Sequence, residues 1–212
     1  MEFRNRITGV LAILFALSLL AGGAFAATGT GVWVGSCGDV VMIQNARIRV
    51  DYNLAQGSYS IVDRKDSLSR VTGASLRVNE WASTSVGLRN TCQSRPVKDA
   101  IGVGRKLTIT TTGLGRPELV LDITLYKDRS FVLLAAGIDN TTSKPVRVRY
   151  MNPMVGGVAF DRLNPKSDIR IVENPSALTA DADFGHAQAR RANNLLVTFA
   201  VGDRQKSLVF GQ

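Results

Sequence analysis

The chain contains 212 residues and has a formal net charge of +9 at pH 7, with two cysteines and one histidine. This count argues against a zinc site, which needs four close ligands, and no cofactor is predicted. In a cytosolic protein the positive charge would indicate nucleic acid as a partner. Behind the export signal described next, it instead indicates solubility or attraction to acidic glycans and cell surfaces, so no nucleic-acid partner is predicted.

The first 26 residues have the three parts of a secretory signal peptide. Arg4 and Arg6 supply the positive segment, Val10 to Leu20 the apolar segment, and residues 24–26 the small-x-small cleavage site. The apolar run is shorter than the ~20 residues of a bilayer span. We predict a helical signal peptide at residues 1–26, a secreted or periplasmic product and no stable membrane span after cleavage. An uncleaved membrane anchor is the alternative.

After a short extension at residues 27–39, apolar and polar residues alternate with a period of two. Such alternation occurs at 47–52, 119–126, 146–150 and 195–201. Successive side chains of a strand point to opposite faces, so each segment has one buried row and one solvent-facing row. No convincing amphipathic helix follows the leader. Residues 40–212 are therefore predicted to form one all-β domain of two packed antiparallel sheets.

Three consecutive strands are predicted as a meander from Glu118 to Tyr150, joined by a strand at Leu107 to Thr112. The segment from Phe131 to Ile138 is apolar on both faces, which favours a central strand covered on both sides. Asp122 lies on the polar row of its strand, where a surface ion pair with a neighbouring arginine is predicted.

Two tryptophans, Trp33 and Trp81, are the candidate carbohydrate-binding residues. An indole face can cover the apolar side of a pyranose ring while its rim stays wet. The alternative is that both fill the edge of the core, as large aromatics usually do. Cys37 and Cys92 are candidates for a disulfide in an oxidising compartment, although sequence spacing alone does not establish that they meet.

Two further groups of residues have a functional and a structural interpretation. Arg47, Arg49, Arg147 and Arg149 could form a basic sheet face for anionic glycans, or they are solvated strand residues. The segment from Asp181 to His186 combines two carboxylates with the single imidazole. It could bind calcium or line a sugar site, or it is an ordinary turn, which aspartates next to glycine commonly form. A nucleophilic triad is not predicted, because no nucleophile motif accompanies the histidine. Catalytic and metal-binding residues are therefore predicted as none.

Several strand-and-turn phrases, read in order, resemble the N-terminal β-supersandwich domain of bacterial α-galactosidases of the melibiase and raffinose-synthase type. The resemblance extends from about Val40 to Gly211. The phrases are Asp51–Ile61, Gly102–Ile109, Leu119–Asn140, Lys144–Val148 and Asn193–Thr198.

In that family the supersandwich precedes a (β/α)₈ barrel that carries both catalytic carboxylates, and this chain ends where the linker to a barrel would begin. The resemblance thus implies a non-catalytic accessory domain that supports or lines a carbohydrate site of a missing barrel. Implied partners are a galactoside-type glycan and the barrel or an oligomer partner. The chain alone is predicted to be inactive, although its presumed relatives are hydrolases. A stand-alone secreted carbohydrate-binding or surface-interaction module is the alternative.

Overall fold

A computed structural model describes residues 30–65, 68–158, 169–174, 183–185, 194–201 and 204–210. Every regular element in these ranges is a β-strand, which confirms the all-β prediction. Within the same ranges there is no helix long and apolar enough to cross a membrane. The predicted signal peptide lies outside the described residues.

The strands are numbered in chain order. Those of the N-terminal half are β1 (Trp33–Cys37), β2 (Val40–Gln44), β3 (Ile48–Asn53), β4 (Ser58–Asp63), β5 (Leu68–Val78), β6 (Trp81–Ala82), β7 (Arg89–Lys98) and β8 (Val103–Thr112). They are followed by β9 (Glu118–Tyr126), β10 (Leu133–Asp139), β11 (Met151–Val158), β12 (Ile169–Asn174), β13 (Asp183–Gly185), β14 (Asn194–Val201) and β15 (Arg204–Phe210).

Two antiparallel sheets form the sandwich. The seven-stranded sheet has the order β1-β2-β3-β4-β5-β11, with β6 paired to β5, and the four-stranded sheet has the order β10-β9-β8-β7. A further sheet of the described residues has the order β13-β12-β14-β15. The strand predicted at 195–201 corresponds to β14.

The core lies between the inward rows of the two sheets. In β9 the predicted alternation is confirmed, because Leu119, Leu121, Ile123 and Leu125 are each no more than 1% exposed. Burial of each such side chain contributes about 1.5–3 kcal/mol. Other fully buried residues come from both sheets: Ile43, Tyr52, Tyr59, Leu76, Leu107 and Ile109.

The sandwich begins earlier than the predicted boundary at residue 40. Val32 is fully buried in the core, and β1 pairs with β2 along its whole length, from Trp33 opposite Gln44 to Cys37 opposite Val40. Gly38 opens the two-residue loop between these strands with φ of 56°. Glycine adopts such a positive φ without steric cost, and hairpin loops of two residues require it.

Among the described strands, the segment predicted as a central strand at 131–138 is instead at an edge. The four-stranded sheet ends at β10, and Phe131 and Leu133 are each 40% exposed. The two-sided apolar pattern has another cause: β10 lies at the margin of the sandwich, where it contacts β11 of the other sheet. The inward-facing Leu134, Ala136 and Ile138 pack against the core.

The meander is confirmed for β8, β9 and β10, but its predicted last strand at 146–150 is wrong. Asn79, which has a φ of 51°, binds the backbone of this segment. Its Nδ2 donates to the Arg147 carbonyl at 2.9 Å, and its Oδ1 accepts from the Arg149 N–H at 2.8 Å. The Tyr150 hydroxyl donates to the Asn79 carbonyl. These bonds use backbone groups that a strand would pair in its ladder, and the chain then enters the other sheet as β11 (Met151–Val158).

No disulfide joins Cys37 and Cys92, and both thiols are free. Cys37 is exposed on β1, on the edge of the seven-stranded sheet, whereas Cys92 packs against the core from the four-stranded sheet. A disulfide requires Cβ atoms about 3.8 Å apart that point toward each other. The placement of the two residues on different sheets, one outward and one inward, does not meet that requirement. Burial raises the pKa of the Cys92 thiol.

Candidate functional site

The most distinctive surface feature is an exposed indole on the outward face of the seven-stranded sheet. Trp33 is 46% exposed, while its neighbour in β1, Val34, packs against the core. Alternation of side chains along the strand therefore directs the Trp33 indole to solvent. In the next two strands its row continues through Gln44 and then Arg49.

The adjacent row of the same face contains Gly35, Met42 and Asp51. Arg49 and Asp51 form an ion pair within β3, with 3.0 Å between the arginine Nε and the aspartate Oδ2. Their side chains are 40% and 27% exposed, respectively. We call this surface the Trp33 face, and its residues are Trp33, Gly35, Met42, Gln44, Arg49 and Asp51.

The Trp33 face combines an apolar platform with hydrogen-bonding groups of both kinds. Strands in a sheet lie about 4.8 Å apart, so the Cα atoms of Trp33 and Arg49 are about 10 Å apart. Between them, the Gln44 amide supplies one acceptor and two donors. Asp51 contacts the Nε of Arg49, and among the described residues the terminal guanidinium nitrogens make no hydrogen bond. An amide, a carboxylate and a guanidinium beside an indole can bind the hydroxyl groups of a sugar whose ring covers the indole.

The other candidate, Trp81, lies in a different environment. It pairs with Val78, a fully buried residue, and its half-buried side chain packs against the core. Directly paired residues share one face of a sheet, so Trp81 lies on the inward side and Trp33 on the outward side. In addition, β2, β3 and β4 separate β1 from β5 and β6. The two indoles therefore do not form one binding surface.

The four arginines do not form a common basic face. Arg49 lies in the row that meets β5 at Ser69, whereas Arg147 and Arg149 are held by Asn79, just beyond the opposite end of β5. Nearly the full length of that strand separates the two groups. Arg47 is exposed in the turn before β3.

The segment from Asp181 to His186 gives no site that can be described. Residues 183–185 are seen as the backbone of β13, while Asp181, Ala182 and His186 lie outside the described residues. In the described part of the chain there is no group of three histidine, cysteine, aspartate or glutamate residues that could hold a metal ion.

The predicted ion pair of Asp122 is present, but its partner is a lysine. Lys106 Nζ lies 2.6 Å from Asp122 Oδ2, and Thr108 Oγ1 donates to Oδ1 at 2.6 Å. Burial acts to raise the pKa of Asp122, yet the bonds from Lys106 and Thr108 prevail and lower it. This carboxylate on the outward face of the four-stranded sheet is thus engaged in cross-strand pairing.

A hydrogen bond between the buried Tyr126, at the end of β9, and Asp99 stabilises the four-stranded sheet. The Tyr126 hydroxyl donates to Asp99 Oδ2 at 2.6 Å, which connects β9 to the loop between β7 and β8. This bond is the main cause that lowers the pKa of Asp99. Burial raises the pKa of Tyr126 to about 12, and Asp99 acts in the same direction.

We expect this pair to contribute to the pH dependence of folding. The pKa of Asp99 is lower in the folded chain than in the unfolded chain, where it is about 3.9. The stabilisation is therefore present above that pH and is lost as the pH falls through the folded pKa. Asp99→Asn should reduce the difference in urea unfolding midpoint between neutral and strongly acidic pH. Tyr126→Phe should reduce it similarly, and an unchanged difference in both variants would contradict this assignment.

No protein-family model, curated protein or solved structure matches the chain. The resemblance to α-galactosidase N-terminal domains consequently stays a prediction. The geometry of the Trp33 face is the structural observation that bears on function. Of its polar residues, sequence reasoning singled out Arg49, and only as part of a basic face. Gln44 and Asp51 gave no signal, because a short alternating strand does not reveal which strands will be its neighbours.

Proposed function

We propose that the β-sandwich is a non-catalytic carbohydrate-binding domain that binds a galactoside-type glycan on the Trp33 face. We further propose that it is a β-supersandwich of the kind that precedes the catalytic barrel of exported α-galactosidase-like glycoside hydrolases, where it supports or lines a carbohydrate site. The observation that carries the proposal is the exposed Trp33 indole, 46% accessible, in line with Gln44 and Arg49.

The energetics favour a functional role for this indole. A large aromatic side chain contributes most to stability when it is buried, and an exposed one forgoes much of that contribution. The same exposure leaves the apolar ring ready to cover the C–H face of a pyranose. The fixed ion pair between Arg49 and Asp51 adds donors and an acceptor that need little reorganisation when a sugar binds.

The composition of the Trp33 face supports binding without hydrolysis. A retaining glycosidase needs two carboxyl groups about 5 Å apart, on either side of the scissile bond. The face contains one carboxylate, Asp51, and it is paired with Arg49. Nothing else on the face can act as general acid or nucleophile, since its remaining residues are Trp33, Gly35, Met42 and Gln44.

Thermal unfolding of the purified chain with galactosides provides the test. A ligand that binds only the folded state at 100 times its Kd stabilises that state by about 2.7 kcal/mol, which corresponds to a rise in Tm of several degrees. We expect such a rise with a galacto-oligosaccharide, and no release of the aryl group from an aryl α-galactoside. A cooperative transition that no galactoside shifts would contradict binding, and turnover by the pure chain would contradict the non-catalytic assignment.

A stand-alone secreted binding module is the second candidate function. It is favoured by the fact that the Trp33 face is built from three neighbouring strands, β1, β2 and β3, of one sheet. Such a face needs no residue from a barrel. Galactoside affinity of the isolated chain equal to that of a longer polypeptide that includes a barrel would favour the stand-alone module, and a large gain in affinity on adding the barrel would favour the accessory domain.

A further inference from the structure

The edges of the two sheets of the sandwich differ in how they are protected. Exposed sheet edges carry unpaired backbone groups that invite another strand, and charged residues or proline usually block them. The edge strand β7 contains Pro96 and three cations, Arg89, Arg95 and Lys98. The other end of that sheet, β10, lies against β11. Among the described strands, the seven-stranded sheet ends at β11 and at β1. The strand β11 contains Pro153 and lies against β10, whereas β1, with the sequence Trp-Val-Gly-Ser-Cys, contains neither charge nor proline.

We propose that a second copy of this chain pairs with β1, so that two seven-stranded sheets join edge to edge about a two-fold axis. The role given to this dimer rests on the proposed function, because its effect is to complete the Trp33 face. Trp33 lies on the outermost strand, with Gln44 on one side and no described strand on the other. A sugar that covers the indole therefore extends beyond the sheet unless another strand continues it.

The side chains of β1 are compatible with antiparallel pairing between β1 and the same strand of a second copy. A two-fold axis at the central residue, Gly35, lets all five residues of the strand pair. In that register Trp33 is opposite Cys37 of the partner subunit, and Val34 is opposite Ser36 of the partner subunit. Each larger side chain thus meets a smaller one, and an indole next to a thiol is a favourable contact. Directly opposite residues of antiparallel strands point to the same face, so both Trp33 indoles remain on the outward side.

Charge does not oppose the association. The chain has a net charge of +9, which tends to keep copies apart, but β1 and β2 are uncharged, and the two charged residues of β3, Arg49 and Asp51, form an ion pair. The two copies can therefore approach through one of the electrically neutral parts of their surfaces. By contrast, pairing through β7 would bring two sets of cations together.

The dimer would bind a longer ligand than one copy does. With Gly35 on the axis, the Cα atoms of the two Trp33 residues are offset by four residues and lie about 14 Å apart at ~3.4 Å per residue. One continuous face then carries two indoles, each with its own Gln44, Arg49 and Asp51. The ligand class that fits is a linear oligosaccharide of several units rather than a single sugar.

Sedimentation equilibrium of the purified full chain, in reductant and without sugar, tests the dimer. We expect the mass to rise with concentration from one copy to two. Ser36→Lys should hold the mass at one copy, since it places a lysine on the exposed edge while β1 keeps its pairing with β2. Thr91→Lys, on the exposed edge β7, is the matched control and should leave the dimer intact. A single-copy mass for the unmodified chain at its highest soluble concentration would overturn the proposal, as would a dimer that Ser36→Lys leaves unchanged.

A cysteine placed on the axis tests the register. In a Cys37→Ser background, Gly35→Cys should form a disulfide-linked dimer on oxidation, because residue 35 meets its own copy. Cys37 in the unmodified chain should not, since the two Cys37 Cα atoms would be about 14 Å apart and a disulfide requires less than about 7 Å. The opposite pattern of cross-linking would overturn this register.

These experiments test the proposed dimer and the proposed sugar site independently of each other. The mass is measured without sugar. A chain that is monomeric but still binds galactosides would therefore contradict the proposed dimer and leave the proposed function standing. The continuous face of the dimer, which we call the joined face, is tested by comparing two ligands. It is supported if the Ser36→Lys monomer binds a monosaccharide as the unmodified chain does but loses at least tenfold in affinity for a long oligosaccharide. Equal affinity of the two proteins for the long ligand would overturn the joined face.

Discussion

Trp33→Ala should reduce the affinity for galactosides by at least tenfold while leaving the fold intact. Truncation of a central aromatic residue at a binding surface commonly costs about 2 kcal/mol or more, and each 1.4 kcal/mol corresponds to about a factor of ten. The indole is 46% exposed, so its removal sacrifices little core packing. Titration calorimetry with a galacto-oligosaccharide gives the change in Kd, and unfolding in urea gives the change in stability.

Two variants separate binding from packing. Trp33→Phe keeps a smaller aromatic face and should retain part of the affinity. Trp81→Ala is the matched control: its side chain packs against the core from the inward side, so it should lower the free energy of unfolding with little direct effect on the Kd. If Trp81→Ala weakened binding as much as Trp33→Ala in chains that remain folded, the Trp33 face would not be the binding surface.

Much of the fold could be predicted from period-two alternation. In β9 the alternating leucines and isoleucine are buried, and β3, β9 and β14 lie where the pattern indicated strands. This works because a strand that faces a core on one side and water on the other leaves a local record in the sequence.

One error arose where a distant side chain decided the local structure. The residues from Val146 to Tyr150 alternate as a strand does, yet Asn79 binds their backbone groups. Nothing near residue 146 in the sequence signals an asparagine 68 positions away, as in the bond from Asn79 to the Arg147 carbonyl. The error at β10 has a different origin: both faces of this segment are apolar, which predicts a central strand, but it is an edge strand among the described residues and contacts β11 of the other sheet.

The candidate site could be predicted only in part. The sequence offered Trp33 and Trp81 as equal candidates, and the register of β1 and β6 separates them. It also predicted an arginine partner for Asp122, while the register of β8 against β9 brings Lys106 and Thr108 near it. Which residues become cross-strand neighbours depends on pairing between distant segments, and a single sequence does not record that pairing.

Asn45→Ala should be among the most destabilising single substitutions in the sandwich, with an expected loss of about 3 kcal/mol in the free energy of unfolding. Asn45 is 2% exposed. Its Nδ2 donates to the carbonyls of Tyr126 at 2.7 Å and Arg129 at 2.8 Å, beyond the end of β9. Its Oδ1 accepts from the N–H groups of Arg47 and Ile48, both at 2.8 Å. One side chain thus joins the β2–β3 turn of one sheet to the β9–β10 loop of the other.

Alanine at this position leaves buried donors and acceptors without partners, which costs more than the loss of an ordinary surface hydrogen bond. Asn53→Ala is the matched control, because Asn53 is half-buried and accepts one bond, from Gln56 N–H at 2.9 Å; its loss should stay below about 1 kcal/mol. Asn45→Asp keeps the acceptor but sets a carboxylate against two carbonyl oxygens. Its destabilisation should therefore be largest at neutral pH and decrease as the pH falls, when the protonated acid can again donate. Equal losses for Asn45→Ala and Asn53→Ala in urea unfolding would show that the sheets are held together without this asparagine.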